Sequence, residues 1–521
     1  MTPPSAGEPP LPRTLTKIVA TIGPASDTPE LVRRLIEAGV NIFRFNFSHG
    51  DFAGHEKRLD TVRQVSAEMD RPIACLGDLQ GPKIRVGKVA PPGITLAPGQ
   101  TVVFRRDLDL ARTETRNGET VVVFPTTYPA MIGEVQPGQK VLINDGAIRM
   151  LACGIDPKGE ELQCQVIVGG LVTSGKGINL PQSAMSAPAI TDRDWECVAW
   201  AVENQLDFLA LSFVREAAEV LELKERLKSL CPTTRLADLS GATATIPVIA
   251  KIEKPQAVTN IDAIVQAADG IMVARGDLGV EMDIARVPVV QKKIIAAAHV
   301  WGKPVIVATQ MLESMIESPS PTRAEASDVA NAIFDGCDAV MLSAESATGK
   351  WPVVAVETMR RIAGAAEERI AELPAHHDAP TKLIETGYST AALAHGAWQI
   401  ARDVRAKAVL CWSEAGGTAR YLSQNDFDIP IVAYSSSLRA CRRMAVLRGV
   451  IAVCDKAPEG ITPLRDWNLR ADQFLVSRGL CNPGDAIVIV CGRPLGKTRS
   501  VNMVALHHVG DDDSGLRTHK E

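Results

Sequence analysis

The 521-residue chain has no uninterrupted apolar run near the ~18 residues of a membrane-spanning helix. It has no Cys-x-x-Cys pair and no zinc-type Cys/His spacing. Its eleven cysteines are scattered singly, and an odd, dispersed set fits thiols in a reducing compartment better than a disulfide framework. Charge of one sign is not in excess either. The formal net charge of −5 makes no general claim on nucleic acid or an anionic membrane. The proline-rich start, Met1–Pro12, lacks the apolar core of a signal peptide, and no internal repeat is visible. With 46% hydrophobic and 22% charged residues, wholesale disorder and fibrous classes are excluded. A folded, cytoplasmic protein is expected.

What the chain does have is alternation. Short apolar runs at Lys17–Ile22, Asn41–Phe45, Ile73–Asp78, Asp207–Ser212, Pro247–Ile252, Gly270–Ala274, Pro304–Ala308 and Asp338–Leu342 read as strands. Most are followed by helical spacing, as at Glu30–Glu37, Glu216–Leu230, Ile284–Val300 and Arg323–Phe334. Thr191 with Asp194 reads as an N-cap. Eight strands alternating with helices predict a (β/α)8 TIM barrel over residues 15–85 and 184–365. Residues 86–183 break the rhythm with short strands and Gly/Pro turns, which predicts an inserted small β-barrel cap on the loop face. Residues 366–510 predict a C-terminal α/β domain, with strands at Ala408–Trp412, Pro430–Tyr434 and Ala486–Cys491. Residues 1–14 and 511–521 are expected to be frayed ends.

The residues that could carry chemistry fall at the carboxyl ends of the predicted barrel strands, where barrel active sites lie. Arg44, Asn46 and Ser48 alternate after the second strand, and share a face if the strand runs that far. Asp78 ends the third strand, with Lys83 and Arg85 beyond the Gly81-Pro82 turn. Lys251 and Glu253 end the fifth strand, one pleat apart. A surface ion pair is the plainer explanation there, but Ile246–Ile252 is otherwise apolar. Gly276 and Asp277 follow the sixth strand, and Asp277 alone would serve equally well as a helix cap. Thr309 ends the seventh. Glu253 and Asp277 suit a hard divalent ion, and Arg44, Arg85 and Lys251 suit a phosphate or carboxylate. These residues point to a metal-assisted reaction on a small, anionic, phosphorylated substrate. Gly492–Thr498 looks like a P-loop but has one residue too few between its glycines, and Ser500–His508 makes a poor phosphate-binding helix.

The stretches KIVATIGPAS, FRFNFSHG, GPKIR, KGINLP, ALSFVR, IAKIEKP, MVARGDLGVE, ATQMLESM and MLSAESATGKWP, in this order, resemble the pyruvate kinase family over nearly the whole chain. The resemblance implies phosphoryl transfer from phosphoenolpyruvate to ADP, giving pyruvate and ATP. It implies Mg²⁺ (or Mn²⁺) on Glu253 and Asp277, with Lys251 neutralising the phosphoryl group in flight and Arg44 gripping the phosphate. Gly276, Asp277 and Thr309 would bind the carboxylate, and Arg85 would serve the phosphate side. Asn46, His49 and Lys176 would lie near the nucleotide. A homotetramer, without nucleic acid or membrane as partner, is the form the family implies.

The sequence departs from the family pattern at Asp78-Leu79-Gln80-Gly81-Pro82-Lys83, where Asp-Thr-Lys-Gly-Pro-Glu is commoner. Family members that need K⁺ hold it with residues matching Asn46, Ser48, Asp78 and position 79. Leu79 has no side-chain oxygen and Lys83 brings a cation of its own, so the chain is expected to work without K⁺. By the same resemblance Ser413, Gly416, Gly417 and Thr418 would form a turn for a phosphorylated allosteric effector. An ordinary strand-to-helix turn is the plainer alternative, and Gln424–Asp428 lacks the usual Arg-Pro element. Two rivals share parts of the pattern: a Mg²⁺-dependent lyase or aldolase, and a non-catalytic metabolite sensor.

Overall fold

The computed structural model describes residues 14–183, 185–230, 245–373, 380–458, 463–496 and 501–511. The expected frayed ends before residue 14 and after residue 511, and Lys497-Thr498 of the P-loop-like stretch, lie outside them.

Eight fully parallel strands close into one barrel: Lys17–Thr21, Val40–Asn46, Ala74–Asp78, Phe208–Leu211, Val248–Ile252, Gly270–Ala274, Val305–Ala308 and Ala339–Leu342. The last strand returns to the first, pairing Ala339 with Lys17. Each strand is an almost wholly buried apolar run because helices cover the outside and side chains fill the lumen. Inward residues such as Val19, Leu76, Ile249, Met272 and Ile306 pack the lumen, and that cluster continues into the C-terminal domain through Ala394, Trp398 and Leu422. Outward residues meet the helices in a second cluster.

The second strand stops at Asn46, earlier than a shared face with Ser48 requires. The Asn46 side chain accepts from the Ser48 amide (3.2 Å) and its carbonyl from the His49 amide (3.2 Å), so the chain turns. Thr191 caps the helix Asp192–Glu203 in a reciprocal capping box with Asp194. Such a cap is worth about 1 kcal/mol.

Between the third and fourth barrel strands lie a seven-stranded sheet and a two-stranded ribbon around their own core. Its outermost strands, Arg112–Arg116 and Ile178–Asn179, do not pair with each other. Residues 85–88 span the gap by isolated bridges, Arg85 with Gly177, Val86 with Thr126 and Lys88 with Leu110. In the expected β cap the irregular segment 85–88 thus joins the two edges of the sheet.

The C-terminal sheet has five strands in the spatial order Val450–Cys454, Ile431–Ser435, Ala408–Trp412, Ala486–Gly492 and Val501–His508. The last is antiparallel, a strand where the sequence suggested a poor helix. This domain seats on the amino-terminal pole of the barrel. Lys17 Nζ donates to the Val450 carbonyl (2.6 Å), Gln424 Nε2 donates to Asp338 (2.8 Å), and the Gly449 amide donates to the Leu15 carbonyl (2.8 Å). Among the described residues no helix is long and apolar enough to cross a membrane.

Burial pulls the Lys17 ammonium down to about 8, with Glu367 opposing and Arg448 assisting. Between pH 8 and the ordinary 10.5, the unfolded chain therefore binds more protons than the folded one, and folding stability rises with pH. The melting temperature of the wild type is expected to climb relative to Lys17→Met across that window. The gain is on the order of 3 kcal/mol at most. Parallel curves from thermal melts of the two proteins would remove Lys17 as a source of that dependence.

Candidate active site

Strands one to five deliver one charged cluster to the carboxyl pole. Arg44 Nε donates to Asp78 Oδ2 (2.6 Å) and Arg44 Nη1 to the Thr21 hydroxyl (3.0 Å). Lys251 Nζ lies 3.1 Å from Asp78 Oδ1 and 3.0 Å from Glu253 Oε1, and donates to the Ser212 hydroxyl at 2.6 Å. The Phe213 amide donates to Glu253 Oε2 (2.7 Å). Lys251 is 9% exposed and Asp78 and Glu253 are each 1% exposed, so the Coulomb terms act in a poorly solvated place.

Burial alone favours the neutral lysine, but Asp78 and then Glu253 outweigh it and hold Lys251 cationic far above the ordinary lysine range. Burial also pushes Asp78 up, and Lys251 with Arg44 overcomes this to keep it an anion. Glu253 is different. Burial raises it, Lys251 opposes, and the nearby Asp277 carboxylate raises it further. Its Oε1 is buried, with the Lys251 ammonium beside it at 3.0 Å. A buried carboxylate beside a second carboxylate, Asp277, fits a divalent cation. No cluster of three or more His, Cys, Asp or Glu with metal-holding geometry occurs among the described residues, so the other ligands would be water and substrate oxygens.

Strands six and seven supply the next group. The helix Arg275–Glu281 places Asp277 in its first turn, and the Gly276 amide donates to the Thr309 hydroxyl (2.7 Å). Thr309 and Gln310 both have positive φ, 69° and 53°. For a β-branched residue this is strained, by ~1–3 kcal/mol. Arg275, 7% exposed, holds the turn: it donates to the Thr309 carbonyl (3.1 Å) and the Gln310 carbonyl (3.2 Å) and pairs with Asp328 (2.7 Å).

The loop after Asp78 is held by its backbone. The amides of Gln80 and Gly81 donate to Asp194 Oδ1 at 3.0 and 3.2 Å, while Asp194 Oδ2 serves the capping box. Leu79 is buried in the apolar layer between strands and helices, and its carbonyl accepts from the Ser212 hydroxyl (2.6 Å). Position 79 therefore offers the cleft little through its side chain. Lys83 is exposed and lines a narrow cleft between cap and barrel with Asp145, Asn179, Phe213, Lys254 and Asp277.

Arg85 is not drawn into the charged cluster by any described bond. Its guanidinium donates to the Gly175 carbonyl (2.8 Å) at the root of the cap, next to Lys176, whose carbonyl accepts from the Val86 amide (2.8 Å). Asn46 stands level with Asp78 in the strand pairing, and His49 is exposed just beyond. Ser413, Gly416, Gly417 and Thr418 line a separate cavity of about 690 Å³ between the C-terminal domain and the barrel floor. The Ser413 hydroxyl is engaged there, accepting from the Ala419 amide (3.1 Å).

Sequence reasoning passed over Thr21, Ser212, Arg275 and the second role of Asp194. A polar residue closing an apolar run was the available signal for Ser212. Arg275 directly precedes the Gly276-Asp277 pair that was picked out.

Two family models match, "Pyruvate kinase, barrel domain" over residues 13–356 and "Pyruvate kinase, alpha/beta domain" over residues 391–507. A pyruvate kinase from Mycobacterium intracellulare is 40% identical over 498 residues, covering 95% of this chain and 99% of its own length. One from Staphylococcus aureus (strain MRSA252) is 39% identical over 500 residues, 95% of this chain and 81% of its own. One from Sporosarcina psychrophila is 37% identical over 497 residues, with 95% and 80% covered. These matches remove the lyase and sensor readings: the chain belongs to the pyruvate kinase family and is a phosphotransferase.

Proposed function

We propose that the chain transfers the phosphoryl group of phosphoenolpyruvate to ADP, giving pyruvate and ATP, as the final step of glycolysis in the cytoplasm. The observation that carries this reading is Lys251, a buried ammonium kept cationic by Asp78 and Glu253 at the barrel's carboxyl pole. In the transfer, the bond from phosphorus to the enol oxygen breaks and a bond to the terminal phosphate of ADP forms. Charge spreads over the equatorial oxygens, and preorganised cations stabilise it. Lys251 and Arg44 take that role. The amides of Gly276 and Asp277 and the Thr309 hydroxyl bind the carboxylate, with Thr309 near the carbon that receives a proton. Asn46, His49, Arg85 and Lys176 border the nucleotide where the cap (residues 86–183) meets the barrel. Closure of that cap limits loss of the phosphoryl group to water.

Glu253 and Asp277 would hold Mg²⁺ or Mn²⁺, which supplies Lewis-acid neutralisation of substrate oxygens. Asn46, Ser48 and Asp78 are the remnant of a monovalent-cation site, and Lys83 stands in for K⁺. The burial of Leu79 puts the weight of this substitution on Lys83. We take the working form to be a homotetramer, with Ser413, Gly416, Gly417 and Thr418 as a site for a phosphorylated effector.

The test is pyruvate formation from phosphoenolpyruvate and ADP with Mg²⁺ in a buffer free of K⁺. Full activity, unchanged by K⁺ at constant ionic strength, is expected; no activity in either buffer would overturn the transfer reading. Lys83→Glu, alone or with Leu79→Thr, is expected to create a K⁺ requirement of about tenfold or more, one charge interaction of about 1.4 kcal/mol. Strong activation of the unmodified chain by K⁺ would remove the role given to Lys83.

A further inference from the structure

Two of the ten cysteines among the described residues are neighbours. Cys441 lies on the helix Leu438–Arg443 and is fully buried; Cys454 ends the edge strand Val450–Cys454 and is exposed. The two thiols are hydrogen-bonding neighbours. The backbone brings them together independently. Cys454 is the ladder partner of Ser435, and Ser435 in turn offers its carbonyl to the Cys441 thiol at 3.8 Å. A bond between the two sulfurs would close at ~2.05 Å, and the shared neighbour Ser435 places both side chains on one stretch of the sheet.

We propose that Cys441 and Cys454 are a modification site, a thiol pair that a hydroperoxide oxidises to an intrachain disulfide. The exposed Cys454 sulfur attacks the peroxide, the O–O bond breaks, and an alcohol or water leaves as Cys454 becomes a sulfenic acid. The buried Cys441 sulfur then attacks that sulfenic sulfur, the S–S bond forms and water leaves. The two electrons given up by the thiols are those that reduce the peroxide. Burial of Cys441 keeps external thiols and further oxidant away from it, so the sulfenic acid has one ready resolving partner. Burial also raises both thiols, and the Asp70 and Asp455 carboxylates raise Cys454 further against the Arg442 guanidinium. The thiolate fraction is therefore small. The pair stays reduced under ordinary conditions and answers sustained oxidant.

The position gives the bond a consequence. The same helix carries Arg443, which donates to the Thr245 carbonyl at the barrel floor (2.7 Å) and, with Met444, Val446 and Leu447, walls the 690 Å³ cavity. A disulfide would pin that wall to the neighbouring strand.

The experiment treats the full chain with hydrogen peroxide, maps peptides without reduction and counts free thiols. Cys153, the other exposed cysteine among the described residues, serves as internal control. The expected result is a Cys441–Cys454 linked peptide, joint loss of both thiols, no covalent dimer and reversal by dithiothreitol. In Cys454→Ser, Cys441 should stay reduced; in Cys441→Ala, Cys454 should run on to sulfinic acid. Overturning results are Cys454 going to sulfinic acid in the unmodified chain with Cys441 still free, or Cys441 oxidising in Cys454→Ser as fast as before.

Discussion

Lys251→Met is expected to lower kcat by about 10³-fold or more while the protein stays folded. The basis is the loss of a fixed cation at the place where transferring-phosphoryl charge is spread, an effect worth ~10³–10⁵ for the arginine finger of GTP-hydrolysing enzymes. The variant also tests the charge cluster. Without the ammonium, Asp78 keeps Arg44 at 2.6 Å, but Glu253 loses the cation paired with it at 3.0 Å. Breaking a buried pair usually costs ~3–5 kcal/mol. Here Glu253 can escape most of that by taking a proton, because burial and Asp277 already push it up. Circular dichroism and thermal unfolding should therefore report a native fold with modest destabilisation. Steady-state kinetics with saturating phosphoenolpyruvate reads the loss in kcat. A rate within tenfold of the unmodified enzyme would take Lys251 out of the transfer step.

Glu253→Gln carries the second large effect, on divalent-ion binding. The amide keeps the size of the side chain and its oxygen can still accept from Phe213, but it removes the formal charge and presents a weaker ligand. Even supporting residues of metal sites cost ~10–100-fold in affinity when changed, and a direct ligand should cost at least that. Calorimetric titration with Mn²⁺ alone, without substrates, separates this from any effect on turnover. Unchanged Mn²⁺ affinity in Glu253→Gln would mean that the Glu253 carboxylate is not a ligand.

Much of the architecture was legible because parallel barrel strands are buried on both faces and so appear as unbroken apolar runs. Every end of all eight lies within one residue of its expected bound. The edges of the C-terminal sheet were not legible. Val450–Cys454 is only partly buried and Val501–His508 alternates weakly, and each owes its conformation to one neighbouring strand rather than to its own pattern. Within the site, residues at strand ends announced themselves by charge: Arg44, Asp78, Lys251, Glu253. Arg275 did not, since its partners Thr309, Gln310 and Asp328 are 34, 35 and 53 positions away. Asp194 read correctly as part of a cap, but nothing local showed that its other oxygen would hold a loop 114 residues earlier.

That loop has an evolutionary consequence. The grip of Asp194 on Gln80 and Gly81 is entirely through main-chain amides, so it is indifferent to the side chains the loop displays. Gly81 is constrained by its φ of +70° and by Phe213, which would stand 2.8 Å from any added Cβ, and Leu79 by its burial. Positions 80 and 83 can therefore drift, exchange acid for base, or acquire a charge in one step while the scaffold beneath stays put. The charge shown at this cleft is written in replaceable letters on a fixed page.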